Sequence, residues 1–351
     1  MIYGNIIADG RGNNTMFKDA EVIHGGILTA TFKLLRQAFL EQGIEINTPD
    51  INEGRQIAFD LLIDGKQIEE NDIPKYLIAL ENPNHNHLNE DYEYCRKFSR
   101  VFAWDVRLHT LPNAVKILVP NQISPCRFPP FAERDIFSCL INGNKAFREA
   151  QTINLYLERI NTIRWYEKHA PDKFDLYGTG WGKPTPTFNF IGKVKRPFIR
   201  LGTRLFGYKP FPSYKGEVRD KREIMRRSKF SYCYENSQGV TNYITEKIFD
   251  CFLSGCVPIY WGADNVLDYI PKDCFIDRRD FKNTAAVHEF LLSISSEDYD
   301  LYQANIGRFL NSESAKKFSS EYFVSTIVGF VSQDIYGKRT DRGNQQFAHT
   351  Q

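Results

Sequence analysis

The 351-residue sequence holds no window approaching the ~18–20 unbroken apolar residues of a membrane-spanning helix, so no transmembrane segment is expected. Its opening, MIYGNIIADGRGNN, lacks both the basic and the apolar region of a secretory signal. Charge of one sign is missing too. Lys and Arg number 45 against 43 Asp and Glu, and the resulting net charge of +2 gives no whole-chain case for nucleic acid. Cysteine is scarce, odd in number at seven and never spaced C-x-x-C, which fits reduced intracellular thiols better than a disulfide framework. Cys233, Cys251 and Cys256 stand in apolar contexts that suit small buried side chains. No segment recurs at a fixed period of roughly 20–50 residues, which excludes a solenoid.

What is present is an alternation of strands and helices. Ile27 to Gln42 reads as a helix with Leu28, Phe32, Leu35, Phe39 and Leu40 on its buried side and Gly43 as its stop. Residues 44–46, 58–63, 76–80, 101–104 and 115–119 read as strands. The proline-rich stretch Gln122 to Pro130 reads as a linker, after which a second series of strands follows at 136–141, 174–177, 230–234, 257–261 and 275–276. Alternation of this kind predicts an α/β protein with two mainly parallel sheets, each covered by helices on both faces. The expected domains are 1–134 and 135–335, with 336–351 as a flexible tail.

The densest stretch is Tyr232 to Asn265, YCYENSQGVTNYITEKIFDCFLSGCVPIYWGADN. An aromatic strand ends at Glu235-Asn236, Ser237-Gln238-Gly239 opens a loop, and Thr245 is a good N-cap. Ile248, Phe249, Phe252 and Leu253 then share one helical face before Gly255. Lys247 falls in the first turn, where the helix dipole disfavours a cation. Either it is a solvated lysine, or an anion sits between it and the free backbone N–H groups.

Glu235-Asn236-Ser237-Gln238, Tyr243 through Ile248, and Gly255 through Gly262 together resemble the C-terminal signature of the family-10 glycosyltransferases, the α-1,3/α-1,4-fucosyltransferases. The resemblance is strongest over Lys215 to Phe281. It implies the GT-B fold, two doubly wound Rossmann-like domains facing across a cleft. It also implies an inverting transfer of L-fucose from GDP-fucose to a hydroxyl of an oligosaccharide acceptor, lipid-linked or free, with O3 of GlcNAc or a related sugar as the expected position. By the same resemblance Lys247 neutralises the departing β-phosphate, Glu246 bonds a donor hydroxyl, and Asn236, Tyr243 and Thr245 line the donor pocket. Arg164, before the aromatic pair Trp165-Tyr166, is expected at the donor diphosphate, with Arg148 and Arg159 as rivals. Tyr177-Gly178 opens a glycine-rich turn at a strand end, the place where ligands collect in open α/β sheets, although such glycines equally make an ordinary turn. Glu81, in Glu81-Asn82-Pro83-Asn84-His85, resembles the family's base; Glu90, Glu93 and Asp105 are alternatives.

No cofactor and no metal site are expected, with a divalent ion stimulatory at most. Asp298-Tyr299-Asp300 matches the Asp-x-Asp of metal-dependent transferases, but it follows Ser295-Ser296-Glu297 and reads as helix capping. His85 and His87 have no evident third ligand in the sequence. The basic stretch Lys193 to Lys229 reads as a solvated face, with anionic lipid as the second reading. The animal members carry a membrane anchor and stem not found in this sequence. A bacterial-type enzyme in the cytoplasm, touching the inner membrane peripherally at most, is therefore expected. The competing functions are a GT-B transferase for another nucleotide sugar and a non-catalytic carbohydrate-binding relative.

Overall fold

The computed structural model describes residues 1–18, 26–124, 127–146, 154–186 and 209–348. Two compact units emerge, one formed by Met1–Ile123 with Lys316–Gln351 and the other by Ser124–Ala315.

The first unit is a six-stranded, all-parallel sheet in the order β2-β1-β3-β4-β5-β6. Its strands are β1 (Ile2–Ile7), β2 (Ile44–Asn47), β3 (Ile57–Ile63), β4 (Lys75–Ala79), β5 (Arg100–Ala103) and β6 (Ala114–Lys116). Strand β1, which the sequence reading passed over, lies inside the sheet between β2 and β3. Gly4 interrupts its apolar pattern because a Cβ there would stand 2.4 Å from the Phe59 ring. One face of the sheet packs on helix α1 (Gly26–Glu41) through Phe32, Leu35 and Phe39. The other face buries Tyr94, Phe98, Leu108 and Leu111 from the short helices and turns between strands. Burial on both faces explains why β4 is apolar at nearly every position.

The second unit is also all parallel, in the order β12-β11-β10-β7-β8-β9. Its strands are β7 (Ile136–Ile141), β8 (Asp175–Tyr177), β9 (Tyr214–Gly216), β10 (Ser228–Tyr234), β11 (Val257–Trp261) and β12 (Ile276–Asp277). The chain therefore builds outward from β7 in one direction, returns, and builds outward from β10 in the other. This is the doubly wound order of dinucleotide-binding folds, with its switch point between β7 and β10. Helices α2 (Leu155–His169), α3 (Lys221–Arg227), α4 (Glu246–Leu253), α5 (Thr284–Ser293) and α6 (Ser296–Leu310) cover the sheet.

Two expected boundaries need correction. Arg134, assigned to the end of the first domain, is buried in the second unit and donates to the carbonyls of Pro129, Met225, Ser228 and Ser254. The division at Ile123/Ser124 still falls inside the proline-rich stretch. Residues 316–335, assigned to the second domain, return to the first unit. There helix α7 (Ser320–Ala348) packs Phe323, Val324, Ile327, Val328, Val331 and Ile335 into the core that holds Leu35 and Phe39. The expected flexible tail is likewise helical as far as Ala348. Arg100 grips Asp334 through two hydrogen bonds of 3.0 and 2.9 Å, and Thr31 and Ser320 share one of 2.7 Å.

Candidate active site

The carboxyl ends of β7 and β10 flank the switch point, and the sequence motif begins where β10 ends. The start of α2 meets it directly: Leu155 N–H donates to the Asn236 carbonyl at 3.2 Å, and Asn154 bridges to Ser237. The loop that follows is tied to the end of β11. Asn242 has φ of 66°, a left-handed conformation that asparagine tolerates, and its side-chain oxygen accepts from Asn265 Nδ2 and the Tyr269 hydroxyl.

Glu235 organises the site. Its side chain is fully buried, and its carboxylate accepts from the Thr245 amide at 2.8 Å, the Thr245 hydroxyl at 2.8 and 3.0 Å, and Lys247 Nζ at 2.9 Å. Lys247 Nζ also donates to Thr245 Oγ1 at 2.9 Å, so the N-cap of α4 and the lysine share one anchor. Gly262 makes room for it, since a Cβ there would lie 2.4 Å from Glu235 Cγ. Burial by itself would lower the Lys247 ammonium, but Glu235 and Glu246 outweigh it and hold the group above its ordinary value. Burial would raise the Glu246 carboxyl; Lys247 and Lys221 override that and hold it down at about 2. Lys221, at the start of α3, pairs with the buried Asp250 of α4, which also receives Arg222 Nε at 3.2 Å. This second ion-pair group joins the start of α3 to the middle of α4.

Arg159 completes the cluster. It is 2% exposed and donates through Nη2 to the carbonyls of Tyr234 and Glu235 at 2.7 and 2.8 Å and to Asn236 Oδ1 at 3.2 Å. Its guanidinium lies over the Tyr156 ring at 4.6 Å. Asn236 Nδ2 in turn donates to the Tyr243 hydroxyl at 3.4 Å. Burial pushes the Arg159 guanidinium below its ordinary value, but an arginine stays charged.

The cluster thus brings together Asn236, Tyr243, Thr245, Glu246 and Lys247 of the expected set. Arg164 is not among them. Leu155, Tyr156, Arg159, Thr162, Ile163 and Tyr166 form the buried face of α2, and Arg164 lies off it. Its side chain is 47% exposed, paired with Glu167 at 2.5 Å and stacked on Phe211 at 4.2 Å. The rival Arg159 takes the interior position, and the helical periodicity of that face was the available signal. Arg148 lies outside the described residues. Tyr177 is also elsewhere: it packs with Ile136 and Cys139 and donates to Asp175. Gly178 has φ of 118° and no room for a Cβ, which would stand 2.1 Å from the Asn142 carbonyl oxygen. Its turn is held by pairing with residues 142–144.

In the first unit, Glu81 lies two residues past the end of β4 and is exposed. Its amide donates to Asp64 Oδ1, and its carboxylate accepts from the Asn82 amide at 2.9 Å. The alternatives are engaged by arginines: Asp105 and Glu90 by Arg107, and Glu93 by Arg96. Asp298 is the reciprocal partner of Ser295 in a capping box, as the sequence suggested, while Asp300 is exposed on the far side of buried Tyr299. Among the described residues no group of three or more His, Cys, Asp or Glu could hold a metal, and no helix is long and apolar enough to cross a membrane. The six described cysteines are free and buried. Residues 193–208 of the basic stretch lie outside the described residues.

Residues 204–306 match the family model "Glycosyltransferase family 10 (fucosyltransferase) C-term". This segment belongs to glycosyltransferase family 10. Part of the chain is 46% identical over 67 residues to the α-(1,3)-fucosyltransferase FucT of Helicobacter pylori, covering 19% of this chain and 14% of that protein. Another match is 46% identical over 57 residues to an α-(1,4)-fucosyltransferase of Arabidopsis thaliana, covering 16% and 14%. The matched stretches therefore span about one seventh of these relatives' length. A crystal structure of an α1,3-fucosyltransferase with GDP superposes with a TM-score of 0.51 at 14% identity, covering 95% of this chain and 90% of that one. The likeness is one of fold: two Rossmann-like domains of the GT-B kind, one of which carries the family-10 segment.

Proposed function

We propose that the protein is an inverting fucosyltransferase that moves L-fucose from GDP-fucose to a hydroxyl of an oligosaccharide acceptor. The observation that carries the reading is the cluster at the switch point of the second unit, built within and beside the family-10 segment. It combines Lys247 at a helix start, Arg159 on the facing helix, and the polar groups of Asn236, Tyr243 and Glu246. The relatives named above are fucosyltransferases, and the solved neighbour holds GDP.

In this reaction the acceptor oxygen forms a bond to the anomeric carbon while the bond from that carbon to the β-phosphate oxygen breaks. The electron pair leaves with GDP, and the acceptor proton passes to a carboxylate. Charge grows on the diphosphate, and a fixed cation beside free helix N–H groups stabilises it. Lys247 takes that role, with Glu246 and Asn236 on the donor's hydroxyls. Glu81 is proposed as the base, since it stands at a strand's carboxyl end and, among the described residues, shows none of the arginine pairing that occupies Glu90, Glu93 and Asp105. The acceptor is taken to be an oligosaccharide presenting GlcNAc O3 or a related hydroxyl, and the chain to work in the cytoplasm without a required metal.

The test is a donor panel with EDTA present. GDP and GDP-fucose should raise the melting temperature and UDP-sugars should not, because only ligands of the native state stabilise it. Fucose should appear on the acceptor with the anomeric configuration inverted. Glu81→Gln should cut this transfer by ~10²–10⁴-fold and leave GDP affinity unchanged. Equal stabilisation by UDP-sugars would instead favour another donor, and binding without turnover a carbohydrate-binding relative.

A further inference from the structure

Glu235 pairs with a lysine and holds a helix cap at the same time. It is fully buried, it lies at the end of β10, and it serves both the Thr245 N-cap of α4 and the Lys247 side chain in the first turn. We propose that Glu235 is a positioning residue, whose buried carboxylate fixes the Lys247 ammonium and the Thr245 cap in one geometry at the start of α4. The proposal rests on the reading that Lys247 meets the donor diphosphate.

The argument is geometric first. A lysine has four rotatable side-chain bonds, and a cation in the first turn of a helix is repelled by the dipole. Left to itself, the ammonium would swing to solvent. Here it is held at 2.9 Å from Glu235 and at 2.9 Å from Thr245 Oγ1, and its side chain is 17% exposed. Glu235 is itself held by the Thr245 amide and hydroxyl, in space that Gly262 leaves open. A phosphate approaching the helix start therefore meets a charge already in place, and catalysis by a fixed charge depends on such placement.

The charge state follows from the same contacts. The groups facing Lys247 are Glu235 and Cys233 from β10 and its end, Glu246 from α4, Tyr243 from the loop, Arg159 from α2 and Lys221 from α3. Glu235 and Glu246 hold the ammonium charged, while burial, Arg159 and Lys221 oppose it. With the Glu235 charge gone, the opposing influences remain and the amine loses its proton at lower pH.

The experiment follows Lys247 directly in the full-length protein carrying lysine labelled at Cε, its signal assigned by its loss in Lys247→Arg. In the wild type this signal should remain that of an ammonium through the range in which exposed lysines titrate. In Glu235→Gln it should titrate lower by about 1–3 pH units. Transfer from GDP-fucose should fall by about 10²-fold, chiefly in kcat, and its alkaline limb should move to lower pH. Glu235→Asp keeps the charge but shortens the reach, so it should keep the high titration and lose turnover. It decides the matter if Glu235→Gln does not fold. An unmoved Lys247 titration in Glu235→Gln, or wild-type kcat with an unmoved alkaline limb in either variant that folds, overturns the proposal. A wild type inert toward GDP and GDP-fucose overturns the donor reading, while the titration still decides whether Glu235 governs Lys247.

Discussion

At the scale of the residue, Lys247 changes meaning once its partner is known. As a first-turn lysine it would contribute little to folding, and its removal would be felt only in turnover. The buried Glu235 alters that expectation, because removing one member of a buried ion pair leaves the other without compensation. Lys247→Ala should therefore lose about 3–5 kcal/mol of stability in urea titrations, besides slowing transfer by roughly 10²–10³-fold. The double variant Glu235→Gln/Lys247→Met should recover much of the stability and none of the turnover. If Lys247→Ala melted like the wild type, the pair would be incidental. The sign of the pH effect is also set. Glu246 is depressed in the folded state, so its contribution is present above the ordinary carboxylate range and is lost as pH falls toward about 2. Lys247 is raised, and its contribution is full below the ordinary lysine range and lost only above it.

The elements divide into those with a local cause and those without one. Helix α4 is encoded nearby: Thr245 caps it, Ile248, Phe249, Phe252 and Leu253 bury its inner face, and Gly255 with φ of 64° ends it. Strand β9, three residues at the sheet edge, has no such signal and went unread. The turn after β8 carries a local signal that two causes share. Its glycines fit either a ligand or an ordinary turn, and the Asn142 carbonyl with the positive φ supplies a fold reason for Gly178. Gly178→Ala should cost at least about 1–3 kcal/mol in denaturant titrations while leaving the GDP affinity of the folded fraction intact. A selective loss of GDP affinity at unchanged stability would restore this turn to the donor site.

For the molecule as a whole, the decisive feature is the return of α7 to the first unit. Its apolar side chains complete a core otherwise bounded by α1 and the sheet, so the N-terminal half does not close its hydrophobic face from its own residues. Ile327 is fully buried there. Ile327→Ala should cost about 2–5 kcal/mol, read as a lower unfolding midpoint, and leave the pH dependence of transfer unchanged. Stability equal to the wild type would show that the helix docks only loosely.

The sequence by itself determined the parallel α/β class, most strands, the strand–loop–helix–strand unit from Tyr232 to Gly262 and the candidates Asn236, Tyr243, Thr245, Glu246 and Lys247. Each of these follows from local signals: alternation, capping, a helical face and a motif confined to one short segment. The tertiary structure decided what depends on distant partners. Arg159 rather than Arg164 is the interior arginine of α2 because the backbone of Tyr234 and Glu235 passes beneath that face. Glu235 joins Lys247 because Gly262, from the neighbouring strand's end, leaves it space. Tyr177 turns into the core with Ile136 and Cys139, and α7 crosses back to the first sheet. Local rules read the periodicity of a face, but only packing says which other face it meets.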